Sequence, residues 1–173
     1  VNMVVQKGMN EVSILPMLEY FIGRDVILRF IEFMDVGNTN DWQYGNVFTS
    51  SQIKSVIESQ YRIEPLDANY RGEVAKRWRL LDHPLEFGII SSVTEPFCGE
   101  CSRARLSAIG EVYTCLFAQK GYDLRGLLRD AEPGLSLHSA VEEIWSTRDD
   151  RYSELRGALG PAYQKVEMSY IGG

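Results

Sequence analysis

Apolar and polar positions alternate between two periods along this chain, and the changes of period mark its elements. Residues 1–5, Val1-Asn2-Met3-Val4-Val5, read as a strand, and Gln6-Lys7-Gly8-Met9-Asn10 as a loop. Ile14, Leu15, Leu18, Phe21 and Ile22 then recur at helical spacing. Ser13 is placed to cap that helix, and Pro16 falls in its first turn, where a missing N–H costs little. Gly23 stops it. Residues 26–34 are branched and aromatic and predict a second strand, so residues 1–34 read as a strand, helix, strand unit with parallel strands and a right-handed crossover. Parallel strands need cover on both faces and neighbours, so further partners of residues 1–5 are expected in sequence outside this chain. The missing initiator methionine points the same way, to a piece of a longer protein.

A second helix is predicted from a cap at Thr49, Ser50 or Ser51 through Ile53, Val56 and Ile57 to about Tyr61. Pro65 opens a connecting stretch. The period then falls to two, and residues 74–81 and 87–93 read as strands around a loop containing Asp82-His83-Pro84. Short helices are expected at 124–129 and 135–147, followed by an irregular tail ending Ser169-Tyr170-Ile171-Gly172-Gly173. The fold class is α/β, with an antiparallel C-terminal region carrying helices. Asp35-Val36-Gly37-Asn38-Thr39-Asn40 follows the second strand at the end where α/β sheets place ligands, and on composition, rich in the usual turn residues Asp, Gly and Asn, it reads first as a polar turn.

Composition narrows the functional classes. A chain of 173 residues, 45% hydrophobic and 24% charged, suits a globular domain with a sizeable core. With 18 basic against 24 acidic residues and a net charge of −6, broad attraction to nucleic acid or anionic membrane is disfavoured. No apolar run approaches the roughly 18 residues needed to span a bilayer. The expected partners therefore include neither nucleic acid nor membrane.

Cys98, Cys101 and Cys115 are the chain's 3 cysteines, and they lie close together in sequence. An odd number at short spacing reads as metal binding in a reducing compartment rather than as a disulfide framework. A pair two residues apart can grip one metal centre from a single loop, and a third thiolate can arrive from the return strand of a hairpin. A site one ligand short leaves a coordination position open, which points to chemistry or substrate binding. Pro96-Phe97 ends the preceding strand, and Gly99 is read as letting the backbone approach the metal. A zinc site completed by His83 or His138 and three buried structural cysteines are the competing readings; neither histidine has zinc-finger spacing.

The hairpin register decides what accompanies the cysteines. A two-residue tip at Ile109-Gly110 would place Cys115 on the face of Ala104 and Leu106. A three-residue tip, Ala108-Ile109-Gly110 with Gly110 left-handed, pairs Ser107 with Glu111 and Arg103 with Cys115, and puts Arg103, Arg105, Tyr113 and Cys115 on one face. We take the second register as the expectation. Two guanidiniums beside thiolates offset their charge and offer forked donors to a phosphate-bearing ligand.

Several segments together resemble the C-terminal part of the molybdenum-cofactor biosynthesis protein A family, the radical S-adenosylmethionine GTP 3′,8-cyclases. They are residues 1–8, Arg29-Phe30-Ile31-Glu32-Phe33-Met34-Asp35-Val36-Gly37-Asn38, Gly72-Glu73-Val74-Ala75, Phe97-Cys98 through Cys101-Ser102-Arg103-Ala104-Arg105-Leu106-Ser107, Cys115-Leu116-Phe117-Ala118, Arg148-Asp149-Asp150-Arg151-Tyr152-Ser153 and Tyr170-Ile171-Gly172-Gly173. The resemblance implies that residues 1–47 are the last strands and helix of an incomplete β/α barrel, and that residues 48–173 form a 4Fe-4S and GTP-binding region. It implies that Cys98, Cys101 and Cys115 hold the second 4Fe-4S cluster, and that Arg103, Ala104 and Arg105 bind GTP. Met34 and Arg29 would contact S-adenosylmethionine, and Gly172 and Gly173 would reach into the active site. The implied reaction abstracts hydrogen from ribose C3′ of GTP and joins C3′ to guanine C8, giving (8S)-3′,8-cyclo-7,8-dihydroguanosine 5′-triphosphate.

The first cluster, which cleaves S-adenosylmethionine, belongs to a three-cysteine motif that does not occur in these residues, so the chain is expected to be inactive alone. The family usually has Asp-Gly at the hairpin tip where this chain has Ile109-Gly110, losing a turn-stabilising side-chain hydrogen bond. The other readings are a zinc- or iron–sulfur-binding structural module and the auxiliary-cluster part of another radical enzyme, which should carry more cysteines. Homodimerisation is left open. Localisation is cytoplasmic if the source is bacterial and otherwise unknown, since a targeting signal would precede Val1.

Overall fold

The computed structural model describes residues 1–130, 136–156, 158 and 163–171. The fold is mixed α/β, with a five-stranded mixed sheet and a three-stranded antiparallel sheet. The chain divides into two units, one of residues 1–34 and 42–101, the other of residues 35–41 and 102–173.

In the first unit, β1 (Asn2–Val5) leads through a 3-10 turn into α1 (Ile14–Phe21) and on to β2 (Leu28–Glu32). β1 and β2 pair in parallel, Met3 opposite Phe30, as the alternation predicts. Ser13 does not cap α1: its backbone is already helical at the end of the 3-10 turn, and its side chain makes no capping bond. The preceding loop is tied instead by Glu11, which accepts from the Gly8 and Met9 N–H groups, and by Asn10, which accepts from Gln6 N–H. Gly23 leaves the helix at φ +75°, a conformation that favours glycine.

α2 (Ser50–Glu58) begins with a capping box in which Thr49 accepts from Gln52 N–H and the Gln52 side chain accepts from Thr49 N–H. Then come β3 (Ile63–Leu66), β4 (Lys76–Leu80) and β5 (Glu86–Ile90), giving the order β1-β2-β5-β4-β3. Two features differ from the sequence expectation. Pro65 lies within β3 rather than opening a connection; β3 is an edge strand, where a missing ladder donor is tolerated. β5 returns beside β2 and runs parallel to it, so β2 finds its second neighbour inside this chain.

Alternation along these strands sends one set of side chains to a shared core: Met3 and Val5, Leu28 and Phe30, Phe87 and Ile89, joined by Ile14 and Leu18 of α1 and Ile53 and Ile57 of α2. Phe30 and Phe87 meet edge to face at 6.4 Å. An eight-residue helix such as α1 is too short to hold itself in water, so its place depends on Ile14 and Leu18, both 0% exposed. Burial of each contributes about 1.5–3 kcal/mol.

Glu32, at the end of β2, is a carboxylate with 0% exposure, and it is satisfied on all sides. It accepts from Ser50 N–H (2.7 Å), Val93 N–H (2.8 Å), Thr94 N–H (2.9 Å) and the Thr94 hydroxyl. One side chain thus ties β2 to the first turn of α2 and to the segment after β5. Burial disfavours its charge, but the Thr94, Ser50 and Val93 donors outweigh that and hold the carboxyl below its ordinary range.

The second unit contains the antiparallel sheet β6 (Arg105–Leu106), β7 (Glu111–Tyr113) and β8 (Tyr122–Asp123), followed by α3 (Leu124–Asp130), α4 (Leu137–Ser146) and the single turn α5 (Tyr152–Leu155). β8 is too short to leave a periodic signal. Among the described residues no helix is long and apolar enough to cross a membrane.

Candidate functional site

Cys98 and Cys101 bracket one 3-10 turn, Cys98–Glu100, closed by a hydrogen bond from Cys101 N–H to the Cys98 carbonyl at 3.2 Å. Both are half-buried, and none of the three cysteines is in a disulfide. The root of this loop is fixed by Glu32 through Val93 and Thr94. Gly99 has neither a positive φ nor a neighbour within 4 Å of a built Cβ, so the local geometry does not demand glycine there.

The hairpin in the second unit adopts the three-residue register. Arg105 pairs with Tyr113 and Leu106 with Val112, and Ser107 N–H donates to the Glu111 carbonyl at 2.9 Å. Gly110 sits at φ +86° with its N–H on the Ser107 carbonyl, and a Cβ there would lie 2.8 Å from Arg125 Cβ. Gly110→Ala is therefore expected to cost about 1–3 kcal/mol, read as a shift in urea midpoint. Ile109 cannot support the tip as Asp would; the Ser107 hydroxyl does so by accepting from Glu111 N–H at 3.1 Å. Tyr113 is buried and donates to Glu111 at 2.7 Å; burial and that carboxylate push it up to about 12.

The ladder ends before Arg103 and Cys115 become a paired rung. Arg103 and Ala104 are exposed beyond the end of β6, whereas Arg105 is half-buried within it. Cys115 lies in a bend after β7, where its Sγ accepts from Phe117 N–H at 3.4 Å and its carbonyl from Ala118 N–H at 3.3 Å.

Arg29 and Met34 belong to the first unit, Arg29 on β2 and Met34 just past it, both half-buried. Arg29 faces away from the core, opposite Gly88, where an added Cβ would lie 3.3 Å from Arg29 Cγ. A glycine in the middle of β5 is the sequence signal of that close approach, and it passes unnoticed without the pairing. Gly172 and Gly173 lie outside the described residues.

A cluster that the pattern of residue types did not disclose centres on Asp35, 6% exposed. Its carboxylate accepts from the hydroxyl of Tyr152, from Arg156 Nε at 2.8 Å and from Lys165 Nζ at 3.2 Å, and Lys165 also reaches the Asp35 carbonyl at 2.6 Å. Burial works against the Asp35 charge, but Tyr152, Arg156 and Lys165 outweigh it and hold the carboxyl below its ordinary range. Burial and the Asp35 carboxylate push the Tyr152 hydroxyl far above the usual phenol range. The sequence points there through Asp35-Val36-Gly37-Asn38-Thr39-Asn40 at the end of β2, read first as a polar turn, and through the family-like segments 29–38 and 148–153.

Each of the three cysteines lies outside any disulfide and offers a soft sulfur donor of the kind that iron–sulfur clusters and zinc take, Cys98 and Cys101 in the first unit and Cys115 in the second. Among the described residues no group of three His, Cys, Asp or Glu side chains is gathered as a metal site. The donor chemistry suits a soft metal ion or an iron–sulfur cluster.

Residues 26–154 match the family described as Molybdenum Cofactor Synthesis C. The chain belongs to that family. It is 49% identical over 173 residues to a protein named GTP 3′,8-cyclase from Xanthomonas campestris pv. campestris (strain B100), covering 100% of this chain and 50% of the relative. A protein of the same name from Xanthomonas axonopodis pv. citri (strain 306) is also 49% identical, with 51% of its length covered. Another from Staphylococcus aureus (strain JH9) is 44% identical over 177 residues, with 100% of this chain and 52% of the relative covered. The chain spans about half the length of the curated relatives it matches.

Proposed function

We propose that this chain is the C-terminal portion of a GTP 3′,8-cyclase of molybdenum-cofactor biosynthesis, supplying the second 4Fe-4S site and the GTP site. The carrying observation is identity of 44–49% along the whole chain to proteins of that name. The hairpin supports it, since Arg105 is held in register two residues from Arg103 on the stretch that follows Cys101. In this reading residues 1–47 end a partial barrel and residues 48–173 form the cluster and nucleotide region.

Cys98, Cys101 and Cys115 would hold the 4Fe-4S cluster, which when bound supplies an iron with an open coordination position. The remaining work belongs to the chain's own side chains. Arg103 and Arg105 neutralise and grip the phosphates with forked donors, and the backbone through Ala104 lies along the nucleotide. Met34 and Arg29 contact S-adenosylmethionine, and Gly172 and Gly173 reach the reacting nucleotide without side-chain bulk. Together these residues orient GTP so that ribose C3′ and guanine C8 are within reach of each other, the entropic part of the catalysis. S-adenosylmethionine cleavage requires the first cluster, carried by sequence absent from these 173 residues. On this reading the enzyme acts in the cytoplasm of a bacterial source, and a homodimer is compatible with it.

Anaerobic reconstitution tests the assignment. The expected result is about four irons per chain, with an electron paramagnetic resonance signal that changes on addition of GTP. One tightly held zinc per chain, or an iron signal indifferent to GTP, would overturn it.

A further inference from the structure

We infer that Asp35 is a positioning residue for Cys115, acting through Tyr152 and the 163–166 segment on the bend that carries this thiol. The bend is short and is held from outside. Phe117 N–H meets Cys115 Sγ at 3.4 Å, so the placement of Phe117 bears directly on the direction of the sulfur. Phe117 is 6% exposed, and its ring stacks on Tyr152 with centroids 4.4 Å apart and planes 19° apart. Its carbonyl accepts from the Tyr163 hydroxyl at 3.1 Å, and the next carbonyl, of Ala118, accepts from Val166 N–H at 3.0 Å. Tyr163 in turn packs on Tyr152 at 5.1 Å.

The contacts that hold the bend thus come from residues 152 and 163–166, and these segments converge on one carboxylate. Asp35 anchors the Tyr152 hydroxyl, Arg156 and Lys165. The anchoring loop is itself clasped to the same segment: Asn38 N–H donates to Glu167 Oε1 at 2.8 Å, and Lys165 N–H donates to Asn38 Oδ1 at 3.1 Å. Gly37, at φ +63°, makes room for that clasp, because a Cβ there would lie 2.2 Å from Glu167 Oε2. Neutralising Asp35 leaves two half-buried cations without their shared counter-charge and weakens the acceptor for a buried phenol. Such groups move toward water, taking the Tyr152 ring and the 163–166 backbone with them. The bend at Cys115 then loses support from both sides.

The importance of this for a cluster rests on the reading of Cys115 as its ligand, but the test does not. In the full chain, reduced and metal-free, alkylation of each cysteine by N-ethylmaleimide is followed by mass spectrometry. Asp35→Asn is expected to speed modification of Cys115 by about fivefold or more, with Cys98 and Cys101 changing less than about twofold. Tyr152→Phe, which keeps the ring stack and removes only the hydroxyl, should give a smaller rise confined to Cys115. No change at Cys115 in either variant, or an equal rise at all three cysteines in both, overturns the inference. A selective rise in a chain that takes up no iron would sink the cluster assignment and leave the positioning role standing. Iron uptake with a GTP response but unaltered Cys115 reactivity would do the reverse.

Discussion

Glu32→Ala is expected to lower the unfolding free energy by about 4 kcal/mol, measured by urea denaturation at neutral pH. The carboxylate receives three backbone N–H groups and one hydroxyl, in a place with 0% exposure. Alanine leaves all four donors facing a cavity, and each unsatisfied buried donor costs about 1–3 kcal/mol, partly recovered if water enters. Glu32→Gln separates charge from shape. Its amide keeps one acceptor oxygen but presents an NH2 to donors, so a loss of about 2 kcal/mol is expected.

The pH dependence has a definite sign. The folded carboxyl titrates below its ordinary value of 4.5. Its stabilisation is therefore fully present above that value and is lost as pH falls through the lower, folded-state pKa. Asp35 behaves alike, with an ordinary value of 3.8 lowered in the folded chain. Wild type should thus lose stability more steeply than Glu32→Ala as pH falls below about 4.5. Equal slopes for the two proteins would show that Glu32 is not held in its charged form.

Periodicity made the local elements legible and left the long-range ones hidden. β1, α1, β2 and α2 could be read because their apolar spacing matches a strand, a helix, a strand and a helix, with Gly23 ending α1 and Thr49, one of three cap candidates, starting α2. The hairpin register was legible for a different reason: a one-residue change of tip length moves every side chain to the other face, and the three-residue tip needs a positive φ only at Gly110, whereas a type I′ two-residue tip would demand one at Ile109 as well. Pro65 misled because proline is read as a break, whereas an edge strand tolerates it once β4 supplies the ladder on the other side. The return of β5 beside β2 carries no local signature, as sheet order depends on contacts between residues nearly sixty positions apart.

The same limit governs the site. Cysteine spacing and the Arg103-Ala104-Arg105 triplet are local chemistry and stand out in the chain. The Asp35 hub joins residues 35, 152, 156 and 165, far apart in sequence, and no local pattern links the Asp35 turn to the other three. Gly37 and Gly88 likewise appeared as ordinary glycines, and their function as room for Glu167 and Arg29 follows only from what approaches them.

The second large effect concerns the cysteines and separates metal binding from nucleotide binding. Cys115→Ala is expected to cut reconstituted iron from about four per chain to below about one, because two thiolates from a single turn do not retain a cubane. Circular dichroism of the apo chain should be nearly unchanged, since the substitution removes one half-buried side chain and leaves the Tyr152 to Asp35 contacts intact. Arg105→Ala should retain iron and weaken GTP binding by about 10- to 100-fold, the range for losing a charge-assisted grip on phosphate. Arg103→Ala should have the smaller effect of the two. Arg105 is half-buried in the β6–β7 ladder opposite Tyr113, which fixes its backbone and the root of its side chain before the nucleotide binds. Iron lost on Arg105→Ala would make that arginine part of the support for the cysteines, and an unchanged GTP affinity in both variants would remove the arginines from the nucleotide site.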